Sequence, residues 1–192
     1  MRKIIILFFI ILAASCNSKP KVMKNEAAIY LAGGCFWGTE HFMKQIRGVE
    51  MTEVGYANSI VENPDYRQVC TGETKAAETV MVKYNPDVVS LSMLLELYFE
   101  TIDPTSLNKQ GNDKGTQYRT GIYYTNPNDT AVINKVIEEM SAKYSKPLVV
   151  EVEPLRNFYP AELYHQDYLD KNPGGYCHIP SRLFDVARKA NK

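Results

Sequence analysis

The order of the predicted strands and helices is the feature that most limits how this chain can fold. Apolar runs predict strands and apolar residues at helical spacing predict helices, in the order β-α-β-β-α-β followed by α-β-α. The first six elements have the split arrangement in which two β-α-β units share one sheet. We therefore predict an α+β fold with a ferredoxin-like α/β sandwich core and an additional helix, strand and long loops. Strands are predicted at 27–32, 50–56, 79–84, 117–125 and 148–152, helices at 36–46, 91–102, 126–144 and 161–169, and loops at 57–76, 103–114 and from Lys171 onward.

The length and the charge of the chain limit its domain number and its partners. Its 192 residues can form one domain with a full hydrophobic core, and we place that domain at 27–192. The 22 basic residues are balanced by 22 acidic residues, so the chain lacks the positive excess that general binding of nucleic acid requires. We expect a monomer that does not bind nucleic acid.

The N-terminus has the pattern of an export signal. Two basic residues precede the apolar run 4–14, which is shorter than the roughly 20 residues needed to span a bilayer. Small residues then lead to Cys16, and this pattern resembles a bacterial lipoprotein signal, in which the cysteine becomes the lipidated first residue. We predict a signal peptide at 1–15 and a lipid-anchored polar tether at 16–26, on an exported protein of the bacterial cell envelope. The alternative is a plain signal peptide with an incidental cysteine.

The cysteine count indicates a free thiol. Beyond Cys16, the chain contains Cys35, Cys70 and Cys177, and an odd number of thiols cannot all pair within one chain. No two cysteines have the close spacing of a zinc site, and the three histidines are scattered, so we expect no metal.

A glycine-flanked cysteine joins the first predicted strand to the first predicted helix. Cys35 in the segment 33–38 stands at the helix N-terminus, where free N–H groups and the helix dipole are expected to stabilise a thiolate. Phe36 and Trp37 follow it and can form an apolar wall beside a ligand. The segment lacks the Gly-Lys-Ser/Thr ending of a phosphate loop. The alternative is a buried structural cysteine in a tight turn.

Glu78 is a candidate general acid. On a strand it shares one face with Val80, Val82 and Tyr84. Burial on an apolar face disfavours the ionised carboxylate, so we expect the pKa of Glu78 to be raised, as an acid acting near neutral pH requires. The alternative is a glutamate at the strand end that points to solvent.

Three further candidates lie in loops. Tyr66 and Tyr118 stand in segments rich in Gly, Asn and Asp, and their hydroxyls could donate hydrogen bonds to a substrate oxygen. Cys177 follows Gly174 and Gly175, so its segment is able to move. The alternatives are ordinary packing for the tyrosines and a spare cysteine.

Five motifs follow one another along the chain. They are Gly33 to Gly38, Tyr66-Arg67 to Cys70-Thr71-Gly72, Glu78, Gly111-Asn112-Asp113 to Gly115-Thr116-Gln117-Tyr118-Arg119, and His165-Gln166 to Tyr168-Leu169 with Asn172-Pro173 and Gly175-Tyr176. In this order the motifs resemble those of the A-type peptide methionine sulfoxide reductases, and the resemblance covers about residues 27–179. The chain departs from the usual family pattern at Ala76 and Lys114, where the family often has histidine.

The resemblance implies a reaction and a role for each site residue. Such enzymes reduce the S epimer of methionine sulfoxide, in proteins and as the free amino acid. The Cys35 thiolate would attack the sulfoxide sulfur and become a sulfenic acid, while Glu78 protonates the oxygen. Cys177 occupies the position of the thiol that then forms a disulfide, and a thioredoxin-like envelope protein would reduce it. The resemblance also implies no cofactor, hydrogen bonds to the oxygen from Tyr66 and Tyr118, and substrate binding by Phe36, Trp37, Asp113 and Tyr168.

Two other classes of function stay open at this point. A cysteine hydrolase would need a histidine base beside Cys35, and the chain offers His41, His165 and His178. A non-catalytic binding lipoprotein would use the pocket beside Phe36 without turnover. Cys70 also stays open as an alternative partner for the sulfenic acid.

Overall fold

A six-stranded sheet forms the centre of residues 26–192, which are the residues that this computed structural model describes. The predicted signal peptide at 1–15, Cys16 and the predicted tether up to residue 25 lie outside the described residues. The strands are β1 (Ala27–Gly33), β2 (Val49–Ala57), β3 (Ala77–Tyr84), β4 (Lys109–Gln110), β5 (Asp113–Lys114), β6 (Thr120–Tyr124), β7 (Glu151–Pro154) and β8 (Phe158–Pro160). The helices are α1 (Phe36–Met43), α2 (Tyr66–Cys70), α3 (Leu91–Phe99), α4 (Thr130–Ser141), α5 (Tyr168–Lys171) and α6 (Ser181–Lys189), with short 3-10 turns at Thr116–Tyr118 and Pro127–Asp129.

The strand order confirms the predicted fold class. The strands of the sheet lie in the order β7-β6-β1-β3-β2-β8, and each of the four middle strands is antiparallel to its neighbours among them. These four strands and helices α1 and α3 form the split β-α-β core. β7 extends the sheet in parallel beside β6, and β8 adds an antiparallel strand beside β2. The small strands β4 and β5 pair separately in the loop before β6.

Alternation along the strands gives the sheet two different faces. One face carries large apolar side chains, such as Leu31 and Val82, which pack with Phe42 of α1 and Leu95 of α3 in the main core. The opposite face carries the small residues Ala32, Ala57 and Ala77 and the buried ring of Tyr123, with the partly buried ring of Tyr30 packed against them. Since every second residue of β3 faces the helices, Glu78 lies on the same side of the sheet as α1.

The helix predicted at 161–169 is wrong. Residues 163–167 form turns, and a helix begins only at Tyr168. Leu163, which a helix packed on the core would bury, is 85% exposed. The Gln166 side chain instead joins the segment to β2, accepting from the Val54 N–H at 3.0 Å and donating to its carbonyl at 2.8 Å.

The loop predicted from Lys171 to the C-terminus is also wrong in its last part. Helix α6 forms there and buries Leu183 and Ala187, which are one helical turn apart. Helix α2 likewise lies within the predicted loop 57–76, held by a capping box between Asp65 and Gln68. Within residues 26–192, no helix has the length and apolar character required to cross a membrane.

Candidate active site

The end of β1 and the start of α1 hold Cys35 in a fixed turn. Gly34 has φ +83°, and a side-chain Cβ at this position would lie 2.5 Å from Cβ of Gln110, so only glycine fits there without strain. The buried hydroxyl of Tyr98 donates to the Ala32 carbonyl at 2.6 Å and accepts from the Gly121 N–H at 3.2 Å. These contacts fix the strand end that delivers Cys35 to the helix N-terminus.

The pKa of Cys35 differs from the sequence-based expectation. The residue does precede the first turn of α1, but it is only 6% exposed. Burial raises the pKa of the Cys35 thiol well above its ordinary value, the Glu78 carboxyl adds to the rise, and the N–H of Trp37 opposes it. The effect of desolvation on the pKa of Cys35 outweighs the effect of the helix N-terminus, so Cys35 is a thiol in the free protein rather than the expected thiolate.

Glu78 lies beside this thiol as a buried acid. It is 1% exposed, and its Oε2 accepts a hydrogen bond from the Phe36 N–H at 3.2 Å. Burial raises the pKa of Glu78 to about 8, against the effect of that N–H, and Asp113 contributes to the rise. The expectation of a raised pKa is confirmed, and the carboxyl is largely protonated at neutral pH.

Tyr66, at the start of α2, and Tyr118, at the end of the 3-10 turn Thr116–Tyr118, approach the same carboxyl. Burial, followed by the effect of Glu78, raises the pKa of both hydroxyls, so both remain protonated hydrogen-bond donors. The backbone N–H of Tyr66 donates to Glu162 Oε1 at 2.9 Å, and the hydroxyl of Tyr56 donates to Oε2 of the same carboxylate at 2.8 Å. Glu162 therefore joins α2 to β2 at the edge of the site.

Aromatic rings form one wall of the site. The indole of Trp37 stacks on Tyr168 with ring centroids 3.7 Å apart and planes 13° from parallel. Its Nε1–H donates to Nδ1 of the buried His165 at 3.1 Å, and the His165 ring also packs on Phe36 and Tyr66. Because His165 accepts from Trp37, its own ring proton in the neutral form stands on Nε2.

His165 and Glu162 are site residues that the sequence reasoning did not assign. The sequence offers His165 as a base beside Cys35 and as part of a family motif without a role, whereas its side chain holds the indole of Trp37 across 128 residues of sequence. Glu162 had no signal, because its hydrogen bonds join it to residues 96 and 106 positions away in the sequence. Among residues 26–192, no histidine side chain makes a hydrogen bond to Cys35, which the hydrolase alternative would require.

Among the remaining candidates, Asp113 and Cys177 lie close enough to the Cys35 thiol to influence its pKa. Asp113 accepts from the Tyr176 hydroxyl at 2.9 Å and lies close enough to raise the pKa of Cys35. Cys177 is half-buried, and its thiol donates to the Ile179 carbonyl at 3.5 Å. Cys70, at the end of α2, is exposed. All three cysteines are free thiols, and no group of three or more His, Cys, Asp or Glu side chains in the described part of the chain could hold a metal.

Comparison with known proteins identifies the family. The family model for peptide methionine sulfoxide reductase matches residues 27–192. The chain belongs to the peptide methionine sulfoxide reductase family. It is 54% identical over 162 residues to the peptide methionine sulfoxide reductase MsrA of Lachnoclostridium phytofermentans, covering 84% of this chain and 98% of that protein. Membership of this family confirms the predicted enzyme class.

Solved structures of the family have the same fold. Mxr1 from Saccharomyces cerevisiae in its reduced form matches with a TM-score of 0.78 and 41% identity, over 81% of this chain and 92% of that chain. Mxr1 in complex with Trx2 matches with a TM-score of 0.54 and 28% identity, over 77% and 91% of the two chains.

Proposed function

We propose that this enzyme reduces the S epimer of methionine sulfoxide at Cys35, in oxidised proteins, in peptides and as the free amino acid. One observation carries the proposal: a buried thiol lies beside a buried carboxyl whose pKa of about 8 keeps it protonated at neutral pH. As the S–O bond of a sulfoxide breaks, its oxygen must gain a proton. A neutral Glu78 is the acid that this step requires.

The chemical step follows from the positions of the donors. The Cys35 thiol loses its proton as its sulfur attacks the sulfoxide sulfur, while Glu78 protonates the oxygen and Tyr66 and Tyr118 donate hydrogen bonds to that oxygen. The S–O bond of the sulfoxide then breaks, the oxygen passes to the Cys35 sulfur as a hydroxyl, and the proton lost by the thiol restores Glu78. In the net reaction, Cys35–SH and the sulfoxide become Cys35–SOH and the thioether. The cysteine sulfur is oxidised, the methionine sulfur is reduced, and no cofactor takes part.

The aromatic wall supplies the binding site for the substrate. Phe36 and Trp37 hold the methyl group on the sulfoxide sulfur, because their rings present apolar surface next to Cys35. Tyr168 stacks on the indole and His165 accepts its N–H, so the wall is held before the substrate arrives. Asp113, which lies near the thiol, binds the polar side of the substrate.

Recycling of the enzyme uses a second thiol and an external reductant. Cys177 attacks the sulfenic acid, and the resulting disulfide with Cys35 is reduced by a thioredoxin-like protein. The solved complex of the related Mxr1 with Trx2 supports a reductant of this class. Cys177 also lies close enough to influence the pKa of Cys35, whereas Cys70 influences Tyr66 instead.

Single-turnover assays of three serine variants separate these roles. Cys177→Ser releases one methionine per enzyme and then stalls with thioredoxin, accumulating sulfenic acid at Cys35. Cys70→Ser is the matched control and turns over like the wild type, while Cys35→Ser releases no methionine. If Cys70→Ser stalls instead, the second thiol is Cys70. If neither variant stalls, the reductant attacks the sulfenic acid directly.

We also propose that a lipid on Cys16 anchors the enzyme to the bacterial cell envelope, where its reductant is an envelope thioredoxin-like protein. The short apolar run before Cys16 and the polar residues after it support this location. Mass spectrometry of the purified protein should find acyl chains on an N-terminal Cys16, and Cys16→Ala should release the protein from membranes. An unmodified N-terminus near Lys19 would contradict the anchor.

A further inference from the structure

A histidine that the reaction above does not use lies beside the second thiol, with its ring nitrogens buried. Both ring nitrogens of His178 are inaccessible to solvent. The Gly33 carbonyl faces the ring, but neither nitrogen makes a hydrogen bond of normal geometry to it or to any other described residue. The ring lies over the turn that carries Cys35, since a Cβ placed on Gly34 would be 3.5 Å from His178 Nε2. Buried polar atoms without partners are rare in folded proteins, so this ring requires an explanation.

His178 and Cys177 meet at Gly38, in the first turn of α1. A Cβ placed on Gly38 would lie 3.0 Å from Cys177 Sγ and 3.3 Å from His178 Cε1. The absence of a side chain at Gly38 therefore allows the sulfur and the imidazole to occupy neighbouring positions above the helix. The imidazole thus neighbours both the second thiol and the turn that carries Cys35.

The two side chains have complementary proton affinities. Burial raises the pKa of Cys177, although a backbone hydrogen bond with Ile179 opposes the shift, so this thiol is protonated at neutral pH. Burial lowers the pKa of His178, against the opposing effects of Asp113 and the Gly33 carbonyl, so the ring is neutral and can accept a proton. Disulfide formation requires the thiolate, and a protonated Cys177 therefore needs a base.

We propose that His178 takes the proton from Cys177 as this thiol attacks the sulfenic acid of Cys35, and returns it to the departing hydroxide. The inference rests on the proposed sulfenic acid intermediate. The S–O bond of Cys35 breaks and the S–S bond to Cys177 forms. The Cys177 sulfur is oxidised, the Cys35 sulfur is reduced from the sulfenic to the disulfide level, and the hydroxide leaves as water.

The test follows the second step separately from the first. His178→Asn is mixed with a peptide containing methionine S-sulfoxide, in the full-length protein without reductant, and both methionine release and trapped sulfenic acid are measured over time. Methionine release should match the wild type. Decay of the sulfenic acid should slow by about 10²–10⁴-fold at pH 7, which is the usual contribution of a general base. His41→Asn, which replaces a partly exposed histidine on α1, is the matched control and should decay like the wild type.

Two further readouts distinguish proton transfer from a structural role. Decay in His178→Asn should accelerate as pH rises through the Cys177 pKa, because hydroxide then supplies the thiolate. In His178→Gly, added imidazole should restore the decay rate, which a purely structural loss would not allow. The charged group that acts on His178 is Asp113 of β5, whose charge opposes the effect of burial on the pKa of the ring. The pH profile of sulfenic acid decay is therefore also measured in Asp113→Asn, which removes this charge.

The possible results separate this inference from the proposed function. Wild-type decay in His178→Asn with normal methionine release would overturn the role of His178 and leave sulfoxide reduction intact. Loss of methionine release in His178→Asn, or a failure of imidazole to restore decay in His178→Gly, would also overturn it. Absence of any sulfenic acid in the wild type would instead contradict the proposed function.

Discussion

Replacing Glu78 with glutamine should make the protein more stable and less active at the same time. Glutamine keeps the size of the side chain and an oxygen that can accept from the Phe36 N–H, which lies 3.2 Å from the carboxylate. It cannot ionise and cannot donate the catalytic proton. The substitution therefore removes the charge while leaving the packing in place.

The size of the stability effect follows from the pKa of Glu78. The ordinary pKa is 4.5 and the folded pKa is about 8, so the folded state retains a proton that the unfolded chain has lost between these values. Stability from this group is fully present below pH 4.5 and is lost as pH rises to about 8. At about 1.36 kcal/mol per pH unit, the wild type loses about 4 kcal/mol between pH 5 and pH 9 from Glu78 alone.

Urea unfolding of both proteins at pH 5 and pH 9 measures this difference. The wild type should lose about 4 kcal/mol more of its free energy of unfolding than Glu78→Gln over this range. The other titrating groups are common to both proteins and cancel in the comparison. Equal losses in the two proteins would refute the claim that Glu78 is buried and protonated.

The same variant tests the catalytic role of the proton. Methionine release in a single turnover should slow by about 10²–10⁴-fold at pH 7, equivalent to about 3–5 kcal/mol of activation free energy. The deficit should shrink as pH falls, because solvent can then protonate the sulfoxide. An unchanged rate at neutral pH would remove Glu78 from the mechanism.

Two more predictions concern the turn around the thiol. Tyr98→Phe removes the hydroxyl that donates to the Ala32 carbonyl and accepts from the Gly121 N–H. Thermal or urea unfolding should therefore show that the free energy of unfolding falls by about 1–3 kcal/mol. A variant as stable as the wild type would mean that these two backbone groups have other partners. Gly38→Ala places a Cβ 3.0 Å from Cys177 Sγ, so the Cys177 side chain must shift. We expect the sulfenic acid, followed by rapid-quench trapping, to decay roughly tenfold more slowly, which corresponds to about 1.4 kcal/mol of added activation free energy. Decay at the wild-type rate would contradict the close approach of the sulfur to α1.

The central fold was predictable because its elements have regular hydrophobic periods. Alternation along β3 placed Glu78 on the apolar face with Val80 and Val82, and Ser90 caps α3 as expected, accepting from the Met93 N–H at 3.2 Å. The segment 161–169 was not predictable in this way, because side-chain hydrogen bonds rather than an apolar face hold it. Helix α6 did carry a helical spacing of apolar residues, but it is short and mostly polar.

The electrostatics of the site depended on contacts far apart in the sequence. The position of Cys35 before α1 was visible from its glycines, but the depth of its burial and the nearby Glu78 were not, and these reverse the expected effect on its pKa. The contact between Trp37 and His165 likewise joins residues 128 positions apart. Such pairs depend on tertiary packing, which local patterns do not encode.

Mass spectrometry of one variant tests most directly the claim that the oxygen of methionine sulfoxide is transferred to the Cys35 sulfur. Reduced Cys177→Ser is incubated with a methionine S-sulfoxide peptide in the absence of reductant, and a sulfenic-acid trap is added before digestion. One methionine per protein and one trapped oxygen on the peptide that contains Cys35 are the predicted result. Methionine release without modification of Cys35, or release that persists in Cys35→Ser, would contradict the account.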